Sequence, residues 1–168
     1  MKIHTFKKGF TLVELLIVIA LLGALAVGLL AALDPFEQLK KGTDTGTRNT
    51  VSEIQGAIIR YYAIKNAMPW DPDTTIGPIN ANGTGYSTLG LDKIVAAGEL
   101  KTDFSSLGQP QLPRITVIGT DTSATVCYKP DSKAFRSDPN TKFDATGKEG
   151  STCPDPSVAN FSCFWCVK

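Results

Sequence analysis

The chain has 168 residues, a formal net charge of +1 and a 42% share of hydrophobic residues. That length allows one modest globular domain beside any membrane segment. The near-neutral balance argues against a duplex-binding protein, which carries a strong basic excess, so nucleic acid is not an expected partner.

The first element is an apolar run. Leu15 to Leu33 contains only Leu, Ile, Val, Ala and Gly. As a helix it spans roughly 28 Å, close to the ~30 Å hydrocarbon core of a bilayer. The remainder of the chain could hardly cover every side of such a helix, which argues for a membrane span over a buried core helix. Lys2, Lys7 and Lys8 precede it with no acidic residue among the first nine. By the positive-inside tendency that end stays cytoplasmic and the rest is exported. An ordinary secretory signal is cut after its apolar region, at small residues, and Ala31-Ala32 is only a weak candidate. The small residue that stands out is Gly9, ahead of the run. Glu14 sits at the run's edge. A carboxylate within a lipid-spanning helix costs about 2.5–3.5 kcal/mol at the centre and less near the interface.

The string Lys7-Lys8-Gly9-Phe10-Thr11-Leu12-Val13-Glu14-Leu15-Leu16 resembles the N-terminal signal of type IV prepilins and of type II secretion pseudopilins. The resemblance covers residues 7 to about 33 and fades beyond them. It implies that a prepilin peptidase/methyltransferase cuts between Gly9 and Phe10 and methylates the Phe10 amine. It implies that Glu14 guides assembly with copies of the chain and related pilins. The other implied partners are an inner-membrane assembly platform and the lipid bilayer. Many members carry a proline near the position of Ala31, whereas the first proline here is Pro35, so any helix break should move outward. Cleavage would remove three of the 17 basic residues and none of the 16 acidic ones, leaving a balance of −2. It would also remove His4, the one histidine, and with it histidine-dependent catalysis and metal ligation.

Further along, Asp34-Pro35 ends the apolar run, and Pro35 suits the first position of a renewed helix. Residues 40–50 hold two glycines and four threonines and predict the soft part of that helix, because each Gly costs about 1 kcal/mol relative to Ala. From Val51 the period returns: Val51, Ile54, Ile58 and Tyr61 share a face, widened by Ala57 and Tyr62, with Ser52, Glu53, Gln55 and Arg60 mostly elsewhere. Met68-Pro69-Trp70-Asp71-Pro72 stops it, so Phe10 to about Asn66 reads as one long helix, continuous or interrupted, of roughly 85 Å. Residues 67–88 read as loop and Leu91–Leu100 as a short helix. Residues 114–118 and 124–128 read as a hairpin, Ala134-Phe135-Arg136 as a third strand, residues 137–160 as loop and 161–167 as a final strand.

Cys127, Cys153, Cys163 and Cys166 all lie in the last quarter. An even count on an exported domain points to disulfides. A four-cysteine zinc site, a redox-active Cys163-x-x-Cys166 and free thiols are the alternatives. In an extended strand Cys163 and Cys166 project to opposite faces about 10 Å apart, too far for a bridge. Of the remaining pairings, Cys153–Cys163 with Cys127–Cys166 closes a short loop and joins two strands of one sheet, and it is preferred over Cys127–Cys163 with Cys153–Cys166. Asp138, Asn140 and Asp144 offer oxygen ligands, and some pseudopilins bind calcium near this part of the domain. The spacing here does not match a known calcium loop, and these are ordinary turn residues. No metal site, cofactor or catalytic set is expected, and the chain does not read as an enzyme.

The fold expected is α+β and pilin-like. A long N-terminal helix, transmembrane in its first half and amphipathic in its second, packs on a small antiparallel β-sheet domain. Residues 1–9 form a cytoplasmic leader, 10–33 the transmembrane assembly half, 34–66 the amphipathic half and 67–168 the exported head. The function expected is that of a structural subunit of a type IV pilus or pseudopilus-like filament, single-pass in the inner membrane before assembly and extracellular or periplasmic after it. The alternative is a minor or tip pilin whose head binds a surface, a substrate or DNA.

Overall fold

Helix α1 spans Leu12–Ala32, and none of its residues is buried. Beyond Glu14 its residues are all apolar and include no proline to end it, and over 21 residues the helix is long and apolar enough to cross a membrane. A computed structural model describes residues 9–32, 34–70, 76–150 and 153–168. The chain divides into two compact units, residues 1–36 and residues 37–168. The leader lysines Lys2, Lys7 and Lys8, with His4, lie outside the described residues, as do Leu33 and the Asp71-Pro72 part of the expected helix stop.

Helix α2 spans Pro35–Lys65. Pro35 opens it, where a missing N–H is harmless. Asn66 closes it with a positive φ of 52°, the left-handed turn that ends many helices. The expected soft stretch, residues 40–50, is helical throughout. Docking overcomes its weak propensity: Asp44 and Thr47 are fully buried, and Asp44 is held by Arg114 and Ser132. The hydroxyls of Thr43, Thr45, Thr47 and Thr50 donate to the carbonyls four residues back, where they satisfy themselves without strengthening the helix.

Among the described residues five strands form one antiparallel sheet in the order β1-β2-β3-β5-β4. These are β1 (Ile76–Asn80), β2 (Ile115–Gly119), β3 (Ala124–Tyr128), β4 (Thr141–Phe143) and β5 (Phe164–Val167). The expected hairpin is present as β2 and β3, with Val117 opposite Val126. Ile115, Val117, Val126 and Tyr128 are fully buried and pack with Val51, Ile54, Ala57 and Ile58 of α2. Each such aliphatic side chain contributes about 1.5–3 kcal/mol when withdrawn from water. Gln55 belongs to the buried face too, contrary to expectation, because it stands one turn beyond Val51 on the same stripe. The opposite sheet face carries a smaller cluster of Cys127, Cys166 and Phe143, with Ile118 and Phe164 against it.

The remaining elements are short helices: α3 (Thr84–Thr88), α4 (Leu91–Ala96) and α5 (Phe104–Leu107), a 3-10 turn (Leu112–Arg114), and α6 (Lys133–Arg136). Two stretches expected as loop hold regular structure, β1 and α3 within 67–88 and β4 within 137–160. Ala134-Phe135-Arg136 is helical rather than a strand. Ser132 caps that helix by accepting the Phe135 N–H, and Ser132 is itself fixed by Asp44. A local cap of this kind outweighs weak β preference over three residues.

Gly119 is required by packing. A Cβ there would overlap the Trp70 ring, which lies across the end of β2 and donates its indole N–H to Thr120 O at 3.0 Å.

Candidate functional site

The described chain begins with two exposed, non-helical residues, Gly9 and Phe10, and Phe10 is 85% exposed. The peptide bond between them is therefore outside any hydrogen-bonded element. Thr11 precedes the first turn of α1, and Glu14 stands three residues on. Glu14 Oε2 accepts from the Thr11 N–H at 2.8 Å and from the Thr11 hydroxyl at 2.8 Å. The Glu14 N–H donates back to Thr11 Oγ1 at 3.2 Å. This is a reciprocal capping box, in which side chain and backbone satisfy donors that a helix start leaves open. The anionic group also stands at the positive end of the helix dipole. The site thus consists of an accessible Gly-Phe bond, a fixed carboxylate one turn later, and an apolar helix behind it.

Residues 5–30 match the family model described as the prokaryotic N-terminal methylation motif. The N-terminus carries the type IV pilin and pseudopilin signal. Comparisons with curated proteins and with solved structures returned no match. The motif supports a pilin-like or pseudopilin protein, structural in character. It implies processing by a prepilin peptidase and assembly with pilins, and with α1 it fits membrane anchoring.

In this pilin-like chain the cysteines form two pairs. Cys127 and Cys166 occupy facing positions of β3 and β5, with Cα atoms 4.1 Å apart. Cys153 is joined to Cys163, ten residues on. Cys163 lies just before β5, not within it.

The loop oxygens serve the fold. Asp138 pairs with Arg48 at 3.3 Å and accepts the Asn140 N–H. Asp144 accepts from the Thr146 hydroxyl and from the Lys148 N–H, and these donors hold its carboxyl below the usual range. Among the described residues no cluster of three or more His, Cys, Asp or Glu is arranged to hold a metal.

Two arrangements escaped the sequence reading. The Thr11–Glu14 box is spelled by the string Thr-Leu-Val-Glu, the pattern of a capping box, which lies inside the larger N-terminal motif. The second is Asp44, fully buried within α2. It accepts from Arg114 Nη2 at 2.7 Å, from the Ser132 N–H and hydroxyl at 2.8 Å, and from the Asp131 N–H at 3.0 Å. No local pattern could reveal partners that lie 70 and 88 residues away.

Proposed function

We propose that the chain is a structural subunit of a type IV pilus or type II secretion pseudopilus-like filament. The observation that carries this reading is Glu14, a fixed carboxylate on the first turn of an exposed apolar helix, directly after an accessible Gly9–Phe10 bond. The leader 1–9 is cytoplasmic, as its lysines favour. Cleavage after Gly9 frees the Phe10 amine, and methylation of an amine preserves its positive charge. Residues 10–33 cross the inner membrane, residues 34–66 continue as the amphipathic half of the helix, and residues 67–168 form the exported head, where disulfides are stable.

Assembly follows from electrostatics. Subunits stagger along a filament axis, so the Phe10 amine of one copy meets the Glu14 carboxylate of the next. Among packed apolar helices that attraction is far less screened than at a wet surface. A carboxylate left there alone would carry an uncompensated desolvation penalty, so pairing selects the staggered arrangement. Neighbouring apolar helices then replace the lipid around α1.

The test is the fraction of protein in sheared filaments relative to membrane-bound protein, in cells that hold the assembly machinery. Glu14→Ala and Glu14→Gln insert and are processed normally and lose filament. N-terminal sequencing of native protein reads Phe10 first. A chain beginning at Met1, or filaments of Glu14→Gln as abundant as those of the parent, would sink the reading.

A further inference from the structure

The two halves of α2 are attached to the head by different means. Val51, Ile54, Ala57 and Ile58 are fully buried in the core. Residues 38–50 bury no aliphatic side chain, and Leu39 is 70% exposed. Their attachment is polar and centred on Asp44, held by Arg114 and by the N–H and hydroxyl of Ser132. Arg48 adds Asp138 at 3.3 Å and the face of Trp165 at 4.5 Å. Just before this stretch, Glu37 accepts the Lys133 N–H at 2.9 Å.

The same residues are the weakest helix formers of α2. Gly42 and Gly46 lie one turn apart, and four threonines turn their hydroxyls back onto the helix carbonyls. Threonine back-bonding of this kind slightly destabilises a helix. The segment is therefore helical because it is docked, and it is docked through a few directional contacts.

We propose that residues 38–50 form a detachable strap. They release from the turn at 129–133 and unwind as a unit, while the sheet and the Val51–Lys65 part of α2 stay folded. Opening units of this kind are drawn from segments with few buried apolar contacts. Passing from ~1.5 to ~3.3 Å per residue, thirteen residues lengthen by about 23 Å. On the filament reading this gives each subunit a reversible extension under load; the strap itself does not depend on that reading.

Amide hydrogen exchange on the full chain in detergent micelles tests it, with no filament needed. In the parent, amides of 38–50 exchange faster than those of β2, β3 and residues 51–62. Asp44→Asn speeds exchange in 38–50 at least tenfold and leaves β2 and β3 unchanged. Gly42→Ala tests the same idea without damage, because an added Cβ meets no atom within 4 Å. It slows exchange in 38–50 about fivefold and leaves the sheet unchanged. If Gly42→Ala slows strap and sheet alike, or Asp44→Asn speeds both alike, the segment opens only with the whole head and the strap does not exist. Failure of the chain to assemble in cells would refute the filament reading and leave the strap standing.

Discussion

Thr11 and Glu14 close the first turn of α1 on each other: the hydroxyl of one donates to the carboxylate of the other at 2.8 Å, and the Glu14 N–H returns the bond. Thr11→Val removes the hydroxyl and keeps the shape. The expected loss is about 1 kcal/mol of cap stability. The Thr11 N–H still holds the carboxylate, so processing persists and the sheared-filament fraction falls less than it does for Glu14→Gln. On the filament reading, an equal fall in both variants would mean that the hydroxyl matters to assembly as much as the charge does.

The disulfides should contribute unequally. Cys127–Cys166 closes a separation of 39 residues and Cys153–Cys163 one of 10. Loop entropy assigns them about 4 and about 3 kcal/mol. Denaturant unfolding of the two paired-alanine variants should place Cys127→Ala/Cys166→Ala below Cys153→Ala/Cys163→Ala. Non-reducing peptide mapping should recover these two pairs and no Cys163–Cys166 link.

The Tyr128 and Trp165 rings lie tilted by 55° with centroids 5.7 Å apart, and the buried Tyr128 hydroxyl has no hydrogen-bond partner among the described residues. Burial pushes its phenol pKa well above the usual value. An unpartnered buried hydroxyl carries a desolvation cost that phenylalanine does not. Tyr128→Phe should leave stability unchanged or raise it by up to about 1 kcal/mol, read as the denaturant midpoint. A loss above that size would mean that the hydroxyl is hydrogen-bonded in solution.

The Lys133 N–H, with the Lys40 ammonium 3.0 Å from Glu37, holds the Glu37 carboxyl below its usual value of 4.5. A depressed folded pKa means that the unfolded chain binds the proton more readily. The contribution is therefore complete above about pH 4.5 and is lost as pH falls through the folded value. Protection of the Lys133 amide, its exchange measured relative to the intrinsic rate at each pH, should fall below about pH 4.5 in the parent, and this acid-dependent fall should be absent in Glu37→Gln.

Gly119→Ala drives a methyl into the Trp70 ring. Overpacking of a fixed aromatic typically costs about 1–3 kcal/mol. Near-ultraviolet circular dichroism should show the altered tryptophan environment alongside the lowered denaturation midpoint.

What the sequence discloses here follows the range over which each cause acts. The apolar run and the Lys-Lys-Gly-Phe string are contiguous, so length and order reveal them. The β2–β3 hairpin is likewise local, with β-branched residues on either side of a polar turn. The weak propensity of residues 40–50 is legible, but not the outside support, by Arg114 and Ser132 acting on Asp44, that keeps them helical. Ala134-Phe135-Arg136 reads as a strand and is helical for a related reason, since the same carboxylate fixes the Ser132 that caps them. β1 and β4 were missed because proline, glycine and polar residues dominate their surroundings. Each is an edge strand and needs only one neighbour.

The strand order also sets a schedule. β4 is made before β5 and, among the described residues, pairs with no other strand, and β5 lies between it and β3. During synthesis β4 therefore emerges with only local contacts, to Phe135, Asp138 and Glu149, and the growing sheet can advance only as far as β1-β2-β3. The far side of the head must stay open until Phe164–Val167 arrive to fill the gap. A ribosome that stalls upstream of them leaves an unfinished edge on β3, with Cys127 still unpaired. Quality control acting on this chain would find its clearest mark of incompleteness there.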